Sequence, residues 1–154
     1  MVQRPGQVES TYPASPEALP ERILRESHYE VRFARSREEL DSVLQLRFEV
    51  FNLELGEGLA ASYENGRDAD EYDDVCHHLM VVDTGNGELV GSYRMQTAEM
   101  ADRYRGFYSS TLFDLSTLPA NVRRHSMEIG RACVARSHRS SQVLFLLWKG
   151  LAAY

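Results

Sequence analysis

Arg47 falls on what its neighbours mark as the apolar stripe of a helix, seven residues after Leu40 and four before Phe51. A charge on a buried face is costly unless it is paired. Carboxylates for such a pairing stand in the acidic run Asp68, Asp70, Glu71, Asp73, Asp74. Two further arginines occupy strand-like strings, Arg94 in G-S-Y-R-M and Arg131 in M-E-I-G-R, the latter with Glu128. Arginines on core-facing elements with carboxylates near by make a buried ion-pair network. Such a network can be purely structural, and it can equally perturb proton affinities where chemistry is done. The carboxylate cluster around Asp70 and Asp73 has a sharper use as a cradle for a cationic amine.

Three other constellations promise less. His78 and Asp83 have the H-x4-D spacing of a base and its orienting carboxylate, but on a strand residues five apart point to opposite faces. Cys76, His77 and His78 form a single cluster. Cys133 and His138 stand singly, so the three or four convergent ligands of a metal site are not met and no metal is expected. The acidic run lacks the glycine turn and distal glutamate of a calcium loop.

The 154 residues suffice for one domain with a real core. No stretch approaches the roughly 18 to 20 apolar residues that span a bilayer. The first residues, MVQRPGQVES, have no apolar signal region, and the two cysteines show no redox spacing. A reduced, cytoplasmic protein is expected. Charge is unevenly spread: residues 121–154 hold six of the 17 basic residues and one of the 23 acidic ones. A local basic patch on an acidic chain points to an anionic ligand or partner, with no general nucleic-acid binding.

These residues need elements to position them. Residues 1–27 open proline-rich and polar and read as a flexible leader. Residues 28–154 read as one domain. Tyr29 to Ala34 alternates as a strand. Ser36 and Glu39 predict a capping box at the start of a helix whose stripe is Leu40, Val43, Leu44 and Phe51. Residues 55–75 are loop-like. His78 to Asp83 and Glu88 to Met95 are strands joined by the turn Thr84-Gly85-Asn86-Gly87. Ala98 to Phe107 has helical character, Met127 to Val134 is a fourth strand, and Gln142 to Tyr154 an apolar helix. A hairpin within a sheet that carries helices gives an α/β (α+β) sandwich.

Four strings recur here in one order: L-R-F-E-V-F-N on the first helix, D-E-Y-D-D before the second strand, L-V-G-S-Y-R-M on the third strand and M-E-I-G-R-A-C-V on the fourth. This order resembles the acyl-homoserine-lactone synthases and their relatives, a branch of the GNAT superfamily that draws acyl groups from acyl carrier protein. Within that branch it is most similar to the L-ornithine N-alpha-acyltransferases of ornithine-lipid synthesis. The resemblance covers roughly residues 29 to 154. It implies a mixed, largely antiparallel sheet flanked by helices, of which this chain carries the N-terminal part. It implies transfer of a (3-hydroxy)acyl group from the phosphopantetheine arm of acyl carrier protein to the alpha-amine of L-ornithine, giving lyso-ornithine lipid. The alternatives are a synthase acylating another amine, as in N-acyl amino acid or acyl-homoserine-lactone synthesis, and an inactive binding module.

Carried over by residue, the resemblance makes Glu128 the general base, with Arg94 and Arg131 beside it in the catalytic set. It gives substrate binding to Arg47, Phe51, Asp70 and Asp73. The implied partners are acyl carrier protein and L-ornithine or a similar amine, with no resident cofactor. Peripheral contact with the inner membrane face follows from a lipid product. Two departures stand out. The turn before the last helix, Arg136 to Ser141, lacks the glycines of a coenzyme A pyrophosphate turn. Arg136, Arg139 and Ser140 at a helix N-terminus suit the single phosphate of a phosphopantetheine arm, and the basic segment suits an acidic carrier protein. Glu128 and Arg131 are three apart, so a regular strand sends them to opposite faces. A bulge at Gly130 is expected to bring both to one side.

Overall fold

The computed structural model describes residues 12–21 and 24–154. Five strands form one antiparallel sheet in sequence order: β1 (Leu24–Glu26), β2 (Tyr29–Phe33), β3 (His77–Asp83), β4 (Glu88–Thr97) and β5 (Met127–Val134). Helix α1 (Arg37–Arg47) follows β2 and runs directly into a π-helical segment, Phe48–Glu54. Two short helices, α2 (Ala98–Arg103) and α3 (Ala120–Arg124), bridge β4 to β5, and α4 (Ser141–Ala153) follows β5.

The sheet is covered on both faces. Val31, Leu79, Val81 and Gly91 meet α4, where Gly91 allows Val143 and Leu147 to lie against the strand. A Cβ built on Gly150 of α4 would stand 2.6 Å from a Leu79 methyl, so the helix approaches β3 as closely as only glycine permits. The opposite face carries Met80, which packs with Val43 of α1 and with Ala34. Helix α4 leaves Leu144, Phe145 and Trp148 exposed on its outer side.

Ser36 caps α1 as expected, its hydroxyl accepting from Glu39 N at 3.3 Å. The reciprocal half of the box is displaced by one residue: the Glu39 carboxylate takes the amide of Arg35 at 2.7 Å, because Arg32 on β2 also claims it. The helix expected over Ala98 to Phe107 stops at Arg103, where Gly106 (φ +77°) reverses the chain.

Of the expected leader, residues 1–11, 22 and 23 lie outside the described residues. The remainder belongs to the fold: Leu24–Glu26 pairs with β2, and Ala14 and Leu19 are buried. His77 Nε2 donates to the Ala14 carbonyl at 2.6 Å while its Nδ1 accepts from the Tyr154 hydroxyl at 2.8 Å. One ring thereby ties the segment before β1 to the end of α4.

Candidate active site

The polar face of the sheet is assembled by register. His78 of β3 lies opposite Arg94 of β4, and Arg94 lies opposite Gly130 of β5. Two residues along, Gln96 pairs with Glu128. Directly paired residues share a face, so His78, Arg94, Gln96 and Glu128 all look toward α1 and the loop that precedes β3.

That loop supplies the counter-charges. Arg47 Nη1 donates to Asp73 Oδ1 at 2.5 Å and Nη2 to Asp68 Oδ1 at 3.1 Å. Arg94 Nη1 donates to Asp70 Oδ1 at 2.6 Å and to Asp73 Oδ1 at 3.0 Å. Arg131 Nη2 donates to Asp68 Oδ1. Three arginines therefore meet three aspartates, and the cluster as a whole is neutral. Arg47 and Asp68 have no solvent exposure. Burial alone would raise the Asp73 carboxyl, but Arg47, His78 and Arg94 outweigh it and hold it at about 2. Burial pushes His78 down to about 4, so its ring is neutral and its Nε2 donates to the Asp73 carbonyl at 3.1 Å. The Arg94 guanidinium is also penalised by burial, yet Asp70 and Asp73 raise its proton affinity above the ordinary arginine value.

The bulge is present but is carried by a different residue. Ser92 faces Cys133 and Arg94 faces Gly130, so Tyr93 opposes the two residues Arg131 and Ala132. Gly130 stays in the ladder, while Arg131 itself takes φ +50°. This left-handed turn keeps the Arg131 guanidinium on the face of Arg94 and Glu128, over the Phe51 ring at 5.0 Å from its centroid. The extra residue of a bulge leaves its backbone groups outside the regular ladder.

Beside the bulge opens a mostly apolar groove of about 500 Å³, walled by Phe51, Tyr93, Ala132, Cys133, Ser140 and Leu144. The π-helical segment turns Val50 and Phe51 into it, and Leu55 follows just past its end. The N-terminus of α4 opens on it through Ser140 and Ser141, and the free amides of a first helical turn favour an anion there. Arg139 also borders the groove, but both of its terminal nitrogens are held by Glu54, at 2.5 and 2.6 Å. Arg136 faces a neighbouring groove that Glu54 also lines, so the three residues expected at a phosphate are not gathered at one point.

Glu128 stands apart from the arginine network. Its carboxylate accepts from the amides of Tyr108 and Ser109, both at 2.7 Å, and from the Ser109 hydroxyl. A carboxylate offers about four lone-pair positions, so one remains open. The residues Glu128, Arg94, Gln96, Cys76 and Tyr108 border a second cavity of about 60 Å³. Burial pushes the thiols of Cys76 and Cys133 up to about 12, so neither is an activated nucleophile.

Sequence reasoning named Arg47, Phe51, Asp70, Asp73, Arg94 and Arg131, and the fold brings these together. It did not single out Asp68, which bridges Arg47 and Arg131; the D-x-D-x2-D spacing of the acidic run was its signal. Nor did it single out Gln96, which its position two residues after Arg94 places on the same face. Glu54 and the Tyr108–Ser109 turn had no signal.

A bulged strand beside an apolar groove, with a helix N-terminus at the groove's end and a carboxylate on the bulged strand, is the layout of an acyltransferase fold. Residues 46–149 match the Acetyltransferase (GNAT) domain family, and the chain belongs to that family. It is 38 % identical over 134 residues to the L-ornithine N(alpha)-acyltransferase of Brucella abortus (strain 2308), a match covering 81 % of this chain and 47 % of that protein. It is 39 % identical over 132 residues to the enzyme of the same name from Agrobacterium fabrum, covering 81 % and 45 %. The chain thus spans about half the length of these curated relatives. Among solved structures, the AHL synthase LasI shares the fold with a TM-score of 0.50 at 19 % identity, over 83 % of this chain and 68 % of that one.

Proposed function

We propose that this chain carries the thioester- and amine-binding part of an N-acyltransferase that moves a (3-hydroxy)acyl group from acyl carrier protein to the alpha-amine of L-ornithine, giving lyso-ornithine lipid. The observation that carries the reading is the apolar groove that ends at the Arg131–Ala132 bulge, with Glu128 on the same strand. The similarity to proteins named L-ornithine N(alpha)-acyltransferase supports ornithine as the acceptor.

The acyl chain lies in the groove against Phe51, Tyr93 and Leu144. The neutral amine attacks the thioester carbonyl, and the C–N bond forms as the carbonyl becomes an oxyanion. Backbone amides released from the ladder at the bulge receive that charge. Glu128 takes the proton from the attacking nitrogen, directly or through water. The C–S bond then breaks and the proton passes to the departing thiolate. Arg47, Arg94 and Arg131 spend their guanidinium groups on aspartates, so they act here by fixing β4, β5 and the acidic loop. The phosphate of the donor arm meets the first turn of α4, and Arg139 joins it by exchanging Glu54 for the phosphate. The basic segment 121–154 faces the acidic carrier. The reaction runs in the cytoplasm, where the lipid product leaves toward the inner membrane face.

The test is steady-state acylation by the purified chain with 3-hydroxyacyl carrier protein and a panel of amines. Turnover with L-ornithine at the highest kcat/KM is the expected result. A higher kcat/KM with another amine reassigns the acceptor. Tight carrier-protein binding without turnover makes the chain a binding module.

A further inference from the structure

Gln96 is buried to 1 % exposure, and neither its Oε1 nor its Nε2 has a hydrogen-bond partner among the described residues. A buried amide without partners is costly and is rarely retained without a use. Gln96 lies on β4 directly opposite Glu128 of β5, and both border the 60 Å³ cavity. A space that small suits a few waters or the end group of a small molecule.

The charges around the cavity select its occupant. Arg94 is neutralised by Asp70 and Asp73. Cys76 keeps its proton, its thiol raised by burial. Among the described residues that border the cavity, Glu128 is the charge without an ion-pair partner, its carboxylate held by Tyr108 and Ser109, so an end group that donates N–H is favoured. The cavity also adjoins the bulge: Gly130 borders it, and Ala132 and Cys133, two and three residues on, border the acyl groove.

We propose that this cavity seats the amine end of the acceptor, with the Gln96 side-chain carbonyl and Glu128 as its two hydrogen-bond acceptors. The inference rests on the acyltransferase reading and adds the place of the amine and a binding residue that the motifs do not contain. Once the ammonium has released one proton to solvent, Glu128 receives one N–H and Gln96 another, which turns the nitrogen lone pair toward the groove.

The test is calorimetric titration of n-propylamine and of L-ornithine into the purified wild-type chain, Gln96→Met and Gln96→Glu, with the Tm of each. Gln96→Met keeps the length and removes the acceptor. It is expected to weaken binding of both amines about tenfold with an unchanged or higher Tm, because an unpartnered buried amide is gone. Gln96→Glu retains an acceptor oxygen and is expected to keep affinity within about threefold. Wild-type affinity in Gln96→Met overturns the inference, as does an equal loss in both variants, which marks a structural role. Binding of n-propylamine without L-ornithine overturns the ornithine reading and leaves the cavity assignment standing. Binding of neither overturns both.

Discussion

At Asp73 and His78 opposed effects meet, and each resolves into a pH dependence. The fully buried His78 ring sits at about 4, against 6.5 for an ordinary imidazole. Between those values the unfolded chain takes up a proton that the folded chain refuses. The stability from this group is thus complete above pH 6.5 and falls as pH drops toward 4, at about 1.4 kcal/mol per pH unit. His77, lowered by burial, adds a loss of the same sign. Asp73, at about 2 against 3.8, extends the loss at lower pH, since its folded carboxyl resists protonation. Urea unfolding at a series of pH values is expected to show this descent, and His78→Gln is expected to flatten it between pH 6.5 and 4. A variant with the wild-type slope would assign the descent to other groups. At this scale the sequence was informative where a charge interrupted a pattern. Arg47 betrayed itself on an apolar stripe, and Arg94 on a strand. Asp68 sits in a loop, where no periodicity ranks one carboxylate above its neighbours, so its role as the bridge between Arg47 and Arg131 needed coordinates.

Strand β5 shows how much an element's local geometry can depend on one residue. Its bulge places a non-glycine residue, Arg131, at φ +50°. For a β-branched side chain that conformation is a genuine outlier, whereas asparagine enters it readily. Arg131→Asn and Arg131→Val both remove the guanidinium from Asp68, yet Val is expected to be less stable by about 1–2 kcal/mol, measured by urea unfolding. Equal stabilities would mean that the bulge has moved. The elements themselves were largely legible. Alternation marked β2, and the turn Thr84-Gly85-Asn86-Gly87 between two strand-like strings marked β3 and β4. Strand β1 was not, because three residues carry too little pattern and their pairing with β2 defines them. The bulge was foreseen from parity but assigned to Gly130, since residue type alone favours glycine. The tie from Arg131 to Asp68, 63 residues away, accounts for the choice of Arg131. Glu128 was legible as a carboxylate on the right strand. Its capture by the Tyr108–Ser109 turn was not, because that turn has no regular pattern of its own.

For the molecule as a whole, the apolar groove and the small polar cavity, proposed to take the acyl chain and the amine, border the same strand on either side of its bulge. Neither cysteine has a thiol within reach of ionisation near neutral pH. Under the proposed reaction the two substrates must therefore be bound together before any bond is made. Initial-rate measurements with both substrates varied are expected to give intersecting double-reciprocal lines, and parallel lines would point to an acyl-enzyme instead. Trp148, the single tryptophan of the chain, stands 63 % exposed on the outer side of α4 with Leu144 and Phe145. Its indole is already hydrated in the folded state, so its emission is that of a solvated fluorophore open to collisional quenchers. Unfolding will barely move that emission, whereas anything that settles on this side of the helix will shift it to the blue. The intrinsic fluorescence of this protein is thus a gauge of what covers α4, and its tyrosines must serve as the optical probe of the core.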